Sequence, residues 1–141
     1  MNYLLDTDHM TLVERGTLEG QILRARLLTL PGKSYGTTII SYEEQMRGWL
    51  ARIAQANTSE RLIAAYTRLE SHIEAFRGLP ILPFDAKAAA EYERLKKLHP
   101  RGGKQDLKIA AIAIANNATL LTRDLQDFSK IPGLRAEDWS V

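Results

Sequence analysis

The stretch from Gln105 to Asn116 restricts the fold more than any other. Leu107, Ile109, Ala110, Ala111, Ile112, Ala113, Ile114 and Ala115 leave it almost without a polar side. A helix that is apolar all round is a buried helix, so the rest of the chain has to enclose it. It leads into a second apolar run, Thr119 to Thr122, and the 14 residues from Ile109 to Thr122 carry no charge. A membrane span needs about 20 apolar residues. This stretch is shorter and holds Asn116 and Asn117, so it reads as core and no membrane association is expected. The chain has 141 residues, of which 45% are hydrophobic and 26% charged. That is enough for one domain, residues 1–141, with a proper core.

The enclosing layers can be read along the chain. Asn2 to Leu5 is a short apolar run and reads as a strand. Asp8 can cap a short helix to about Arg15, and Leu18, Ile22, Ala25 and Leu28 mark a helix over Thr17–Leu30. Pro31-Gly32 breaks it. Tyr35 to Ile40 reads as a second strand, and Ser41 to Ala56 as a helix with Tyr42, Met46, Trp49 and Ile53 on one face. Asn57-Thr58-Ser59 offers the next cap. The long helix after it, marked by Leu62, Tyr66, Leu69, Ile73 and Phe76, runs to Arg77, where Gly78 stops it. Leu79–Leu82 is a short third strand, Asp85 to about Leu98 a helix ended by Pro100, Thr119–Thr122 a fourth strand, and Gly133–Ala136 an edge strand. Strands that alternate with helices predict an α/β fold. The expected form is a three-layer α/β/α sandwich around a mostly parallel sheet of four to five strands.

In such sheets, ligands bind beyond the C-terminal strand ends, and acids collect there. Asp6 follows the first strand, Glu43 and Glu44 follow the second, and Asp124 and Asp127 follow the fourth; Asp106 opens the apolar helix. Clustered carboxylates repel one another unless a cation joins them. Hard cations such as Mg²⁺ and Mn²⁺ take oxygen ligands of this kind. Each acid also has a structural reading. Glu44 stands three residues after Ser41, a capping-box spacing, and Asp106 and Asp124 suit the first turn of a helix. Jointly, those readings require several coincidences at one edge of the sheet.

Six basic residues (Arg94, Lys96, Lys97, Arg101, Lys104, Lys108) and one acid, Asp106, lie between Arg94 and Lys108. Such a patch attracts phosphates. A carboxylate-held cation beside it describes phosphodiester hydrolysis. The absence of cysteine excludes a disulfide framework, a thiolate zinc site and a Cys nucleophile, and fits a reducing cytosol. Asp6 and the lack of a basic leader argue against a secretory signal, so a cytoplasmic location is expected.

Four segments together resemble the PIN-domain ribonucleases, and among them the VapC-type toxins of bacterial toxin–antitoxin pairs. They are Leu4–Asp8, Ile40–Gly48, Asp106–Ala111 and Leu121–Phe128. The resemblance runs from Met1 to about Trp139. It implies a metal-dependent endoribonuclease acting on RNA, with tRNA or rRNA as the expected substrate. The acid set would fall on Asp6, Glu44, Asp106 and Asp124 around Mg²⁺ or Mn²⁺. The family's glutamate stands four residues before a glycine, which selects Glu44 over Glu43 because Gly48 follows. Thr7, Asp8, Glu43, Thr122 and Asp127 would support the site, and Asp127 is the substitute for Asp124. Asp8 stands where asparagine is common. Arg101, Lys104 and Lys108 would bind RNA. Metal-activated water would attack in line and leave a 5′-phosphate. A homodimer and a cognate VapB-type antitoxin are the implied partners. The stripe Leu62, Tyr66, Leu69, Ile73, Phe76 with Met46, Trp49 and Ile53 is either their surface or, as such stripes usually are, a packed helix pair.

Two rival readings belong to other classes. Asp6-Thr7-Asp8 after an apolar strand also resembles the opening of haloacid-dehalogenase-like phosphatases, with Asp6 as nucleophile. That reading leaves Glu44 and Asp106 without a role and puts Met10 where Thr or Val is usual. A non-catalytic RNA- or protein-binding module is the second rival. Histidine-based cleavage would need two of His9, His72 and His99 together; they read instead as chance surface residues. Phe128 and Trp139 are expected to pack in the interior rather than stack on bases.

Overall fold

The computed structural model describes residues 2–32 and 34–141; Met1, where the resemblance begins, and Lys33 lie outside the described residues. Five strands form one sheet in the order β3-β2-β1-β4-β5, every neighbouring pair parallel. They are β1 (Tyr3–Leu5), β2 (Tyr35–Thr38), β3 (Ile81–Leu82), β4 (Thr119–Leu121) and β5 (Arg135–Glu137). The helices are α1 (Thr7–Glu14), α2 (Leu18–Leu27), α3 (Ile39–Gln55), α4 (Ser59–Ala75), α5 (Ala86–Leu98), α6 (Lys104–Ala115) and α7 (Leu125–Phe128).

The alternation of side chains along each strand divides the core in two. Leu4 and Leu120 point into one layer with Ala88 and Leu95 of α5 and the apolar residues of α6. Leu5 and Leu121 point into the other with Met10 and Leu12 of α1, Leu23 and Leu27 of α2, and Trp139. This is the expected sandwich, with Ile109 to Ala113 at most 2% exposed. Phe128 and Trp139 pack inside it, as expected.

Several local expectations are corrected. Asp6, not Asp8, caps α1; its carboxylate accepts the His9 amide at 2.7 Å. Strand β2 stops at Thr38 because the Thr38 hydroxyl accepts the Ser41 amide and starts α3 there. Ser41 is therefore inside the helix, and Glu44 has no capping-box partner. The third strand shrinks to two residues after Pro80, which has no amide proton to give. The long apolar stripe shared by α3 and α4 is only partly core. Trp49, His72 and Phe76 are buried, whereas Leu62, Tyr66 and Ile73 stay 36–51% exposed. His9 and His72 are wholly buried, not surface residues.

Helices α1 and α2 approach closely at Gly20. A Cβ there would lie 2.4 Å from the Leu12 carbonyl oxygen and 2.5 Å from that of Arg15. Backbone cannot yield as a flexible side chain does. Gly20→Ala is expected to cost about 1–3 kcal/mol and to lower Tm by roughly 3–10 °C in a thermal melt, although alanine is the better helix former.

Candidate metal centre

Strand order reverses between β1 and β4: the chain winds outward from β1 through β2 to β3, then restarts at β4 on the other side. That reversal opens a crevice at the strand ends. The Asp6 amide donates to the Leu121 carbonyl at 3.0 Å, which ties the two ends together. Asp6 leaves β1 here, 6% exposed. Asp124 leaves β4 and caps α7, accepting the Asp127 amide at 3.2 Å, while its own amide donates to the Thr122 hydroxyl at 2.9 Å.

Three carboxylates converge tightly. Asp106, from the first turn of α6, Asp124 and Asp127 each offer an oxygen within 4.8 Å of the others. Asp6 forms a second group of the same spread with Asp8 and His9. Glu44 belongs to neither. It projects from α3 and accepts the Thr7 hydroxyl at 2.7 Å. Electrostatics joins the sets. Burial pushes the Asp106 carboxyl above its ordinary range, and the charges of Asp124, Glu44 and Asp127 add to the rise. Asp6 is pushed up to about 6, chiefly by burial and further by Asp8 and Asp106; the Thr122 hydroxyl and the His9 amide work against the shift.

The remaining predicted residues separate. Glu43 turns to Arg47 at 2.6 Å and to Gln105 at 3.3 Å. Asp8 is gripped by Arg123 through two bonds of 2.6 and 2.8 Å, and this pairing holds its carboxyl below the usual range. Thr122 is wholly buried under the site. Lys108 donates to Gln105 at 3.2 Å and Lys104 begins α6. Arg101 lines a hollow of 340 Å³ together with Asp106, Asp127 and Lys130. The basic patch is weaker than its residue count. Arg94 and Lys96 pair with Glu91 and Glu93, each one turn earlier on α5.

His9 lies beneath the crevice. Burial pushes it down to about 4, so the ring is neutral near pH 7. Nε2 accepts the Trp139 amide at 3.4 Å. A neutral ring accepting there carries its proton on Nδ1, 3.7 Å from Asp6 Oδ1. The three histidines do not come together, so paired-histidine cleavage has no geometry here.

Sequence reading missed Gln45. Its side-chain amide donates to the Thr7 carbonyl at 2.9 Å and the Thr11 hydroxyl at 2.8 Å. It thereby locks α3 to α1 beside Glu44. Thr7 and Thr11 are one turn apart, and Gln45 follows Glu44 directly; only the helix contact gives these residues a shared role.

A set of acids from β1, α3, α6 and α7, converging at the end of a parallel sheet, is a family-level arrangement. The PIN-domain model matches residues 3–134. The chain belongs to the PIN-domain family. Ribonuclease VapC2 of Rickettsia felis is 43% identical over 75 residues, which cover 50% of this chain and 56% of that relative. The match thus spans little more than half of the relative's length. Among solved structures, VapBC2 of Rickettsia felis bound to a promoter DNA fragment superposes with a TM-score of 0.74 at 25% identity, covering 99% of each chain. FitAcB of Neisseria gonorrhoeae gives 0.71 at 26%, with 97% of each covered. DNA-bound VapBC of Salmonella typhimurium gives 0.76 at 22%, covering 99% of this chain and 98% of that one, and supports the fold alone. The phosphatase alternative loses its footing in this family.

The donor set of this PIN domain fits a hard cation: all oxygen, from carboxylates that raise one another's proton affinity. The sign of the pH effect follows. Asp6 holds its proton more tightly folded than unfolded. Its contribution to stability is fully present below about pH 4, and it is lost as pH rises through about 6. Asp6→Asn keeps an oxygen for the His9 amide and removes the buried charge. The metal-free variant is expected to be more stable than the parent at pH 7.5, by up to about 3 kcal/mol, and equal to it near pH 4. Added Mg²⁺ should raise the Tm of the parent only. Thermal melts at the two pH values, with and without Mg²⁺, measure both effects.

Proposed function

We propose that this PIN-domain protein is a metal-dependent endoribonuclease, the toxin of a VapBC-type pair restrained by a VapB-type antitoxin and acting as a homodimer. The single observation that carries the reading is the close set of Asp106, Asp124 and Asp127 beside Asp6 at the β1/β4 crevice, with Glu44 near enough to raise the Asp106 carboxyl. The relative named a ribonuclease and the VapBC2 structure that shares the fold support the activity and the partner. Among the described residues no helix is long and apolar enough to cross a membrane. A tRNA or rRNA substrate would be met in the cytoplasm.

Asp6, Asp106 and Glu44, with Asp124 and Asp127, would hold Mg²⁺ or Mn²⁺. When bound, the ion supplies a water of lowered pKa and neutralises charge on the phosphate oxygens. The protein's own groups do the rest. Thr7 and Gln45 fix Glu44 in place. Thr122 and Asp127 fix the loop that presents Asp124. Arg101 and Lys130 border the acids on the α6 side, where they would hold the RNA backbone.

End-labelled total tRNA incubated with antitoxin-free protein tests the reading. Discrete cuts are expected in Mg²⁺ or Mn²⁺, and none in EDTA or with Asp6→Asn. Cleavage that survives EDTA or Asp6→Asn would overturn it. Glu44→Gln is expected to lower the rate by at least about 10²-fold. Glu43→Gln should leave it within about threefold, because Glu43 is engaged by Arg47 and Gln105 rather than by the site. The reverse order would assign the ligand to Glu43.

A further inference from the structure

The twelve arginines of this chain fall into two groups. Eight are tied down. Arg47, Arg77, Arg94 and Arg123 are paired with acids, and Arg24, Arg26, Arg61 and Arg135 donate to backbone or amide oxygens. Among the described residues, the guanidinium groups of Arg15, Arg52, Arg68 and Arg101 make neither an ion pair nor a hydrogen bond. All four of these line the two hollows that flank the acids. Arg101 belongs to the hollow that shares Asp106 and Asp127 with the site. Arg15, Arg52 and Arg68 belong to a groove of 500 Å³ between α1, α3 and α4 that shares Thr7 and Glu44 with it. An unpaired guanidinium is a ready donor for phosphate oxygens.

The groove is built to hold those cations in place. Trp49 is buried to 8% exposure, and the guanidinium carbons of Arg52 and Arg68 lie 4.6 and 5.6 Å from its ring centroid. With its ring covered in this way, Trp49 is an anchor for arginines and not a platform for a base. Two other carboxylates face the groove. Glu14 is taken by His72, 2.5 Å away, and Glu44 lies at the metal end. Away from that end, the lining holds three arginines, Glu14 already bonded to His72, and polar side chains around Trp49.

We infer that the groove between α1, α3 and α4 is a phosphate-binding subsite for single-stranded RNA. The strand would run from the Arg101 hollow across the acids, so that Arg52 and Arg68 take backbone phosphates on the far side of the scissile bond. This rests on the nuclease reading for its direction across the acids, but binding can be tested without cleavage. The site reads phosphates, not bases, and so confers affinity and registration of the strand rather than sequence preference.

The experiment is anisotropy of a fluorescein-labelled oligouridine of about 12 nucleotides, titrated in EDTA at salt between roughly 50 and 200 mM. For Arg52→Gln/Arg68→Gln, binding at least about tenfold weaker is expected, and a slope of log affinity on log salt shallower by about 1.4, the share of two single-strand phosphates. Arg52→Lys/Arg68→Lys should keep the parent slope. Arg61→Gln/Arg77→Gln, which removes tied arginines of α4 and the segment after it, should change neither quantity. Gly48→Glu is a second route that does not threaten the fold. A Cβ at Gly48 meets nothing within 4 Å, glutamate is a better helix former than glycine, and the new charge enters the groove. It should weaken binding by a similar factor. Parent-like affinity and slope in both Arg52→Gln/Arg68→Gln and Gly48→Glu would overturn the proposal. So would loss of antitoxin binding in those variants with RNA binding intact, which would make the groove a protein site. A parent that binds RNA through these arginines yet cuts nothing in Mg²⁺ would sink the nuclease reading and leave the subsite standing.

Discussion

Mutual repulsion of carboxylates at the β1/β4 crevice is the constraint around which the molecule is arranged. Parallel pairing of β1 with β4 forces Asp6 and the Asp124 loop to the same edge, and α6 brings Asp106 to meet them. In water such a gathering would disperse. Here it is enforced by covalent position: Asp6 and Asp124 are helix caps, each bound to an amide three residues on. A cap suits an anion, because the helix dipole favours it. The same bonds therefore stabilise local structure and hold the acids where only a cation, or protons, can relieve them.

Two arginines close to the acids in sequence are drawn to other carboxylates. Arg123 stands one residue before Asp124, yet it reaches across to Asp8 and bridges the ends of β1 and β4 over 115 residues of sequence. That pairing fastens the β4 loop to the first turn of α1 beside Asp6. It also gives Asp8 an occupation other than metal binding or helix capping, the two alternatives the sequence left open. Arg47 is similarly drawn to Glu43, which separates that acid from its neighbour Glu44.

The layered fold was legible because its signals are local: an all-apolar helix, strands closed by acids, glycine and proline stops. The helix starts that moved did so because two nearby residues could each serve as the cap, and the third strand shortened at Pro80. Thr38 outcompetes Ser41, and Asp6 outcompetes Asp8, because in each case the earlier residue is the one with extended backbone at the helix start. The acids at the strand ends were legible as a set. Gln45 was not, since its role exists only where α3 crosses α1. The buried state of His9 and His72 was equally hidden, because each is covered by distant residues: His9 by Trp139 and Asp138, His72 by Trp49, Tyr42 and Phe76. The four unpaired arginines became visible only by elimination, once the partners of the other eight were known.

Helix α4 joins two properties that the sequence presents as one stripe. Its inner side carries His72, which holds Glu14 of α1, together with Arg68 and Ser71, which line the groove. Its outer side carries Leu62, Ile63, Tyr66 and Ile73, of which Ile63 is 68% exposed. A helix anchored mainly at one end, by His72 and the Phe76 that follows it, gains little from the core along its first three turns. Local stability there is correspondingly low. The inner side of α4 thus fastens it to α1 and lines the groove, its outer side faces away from the core, and neither side supplies an acid to the crevice.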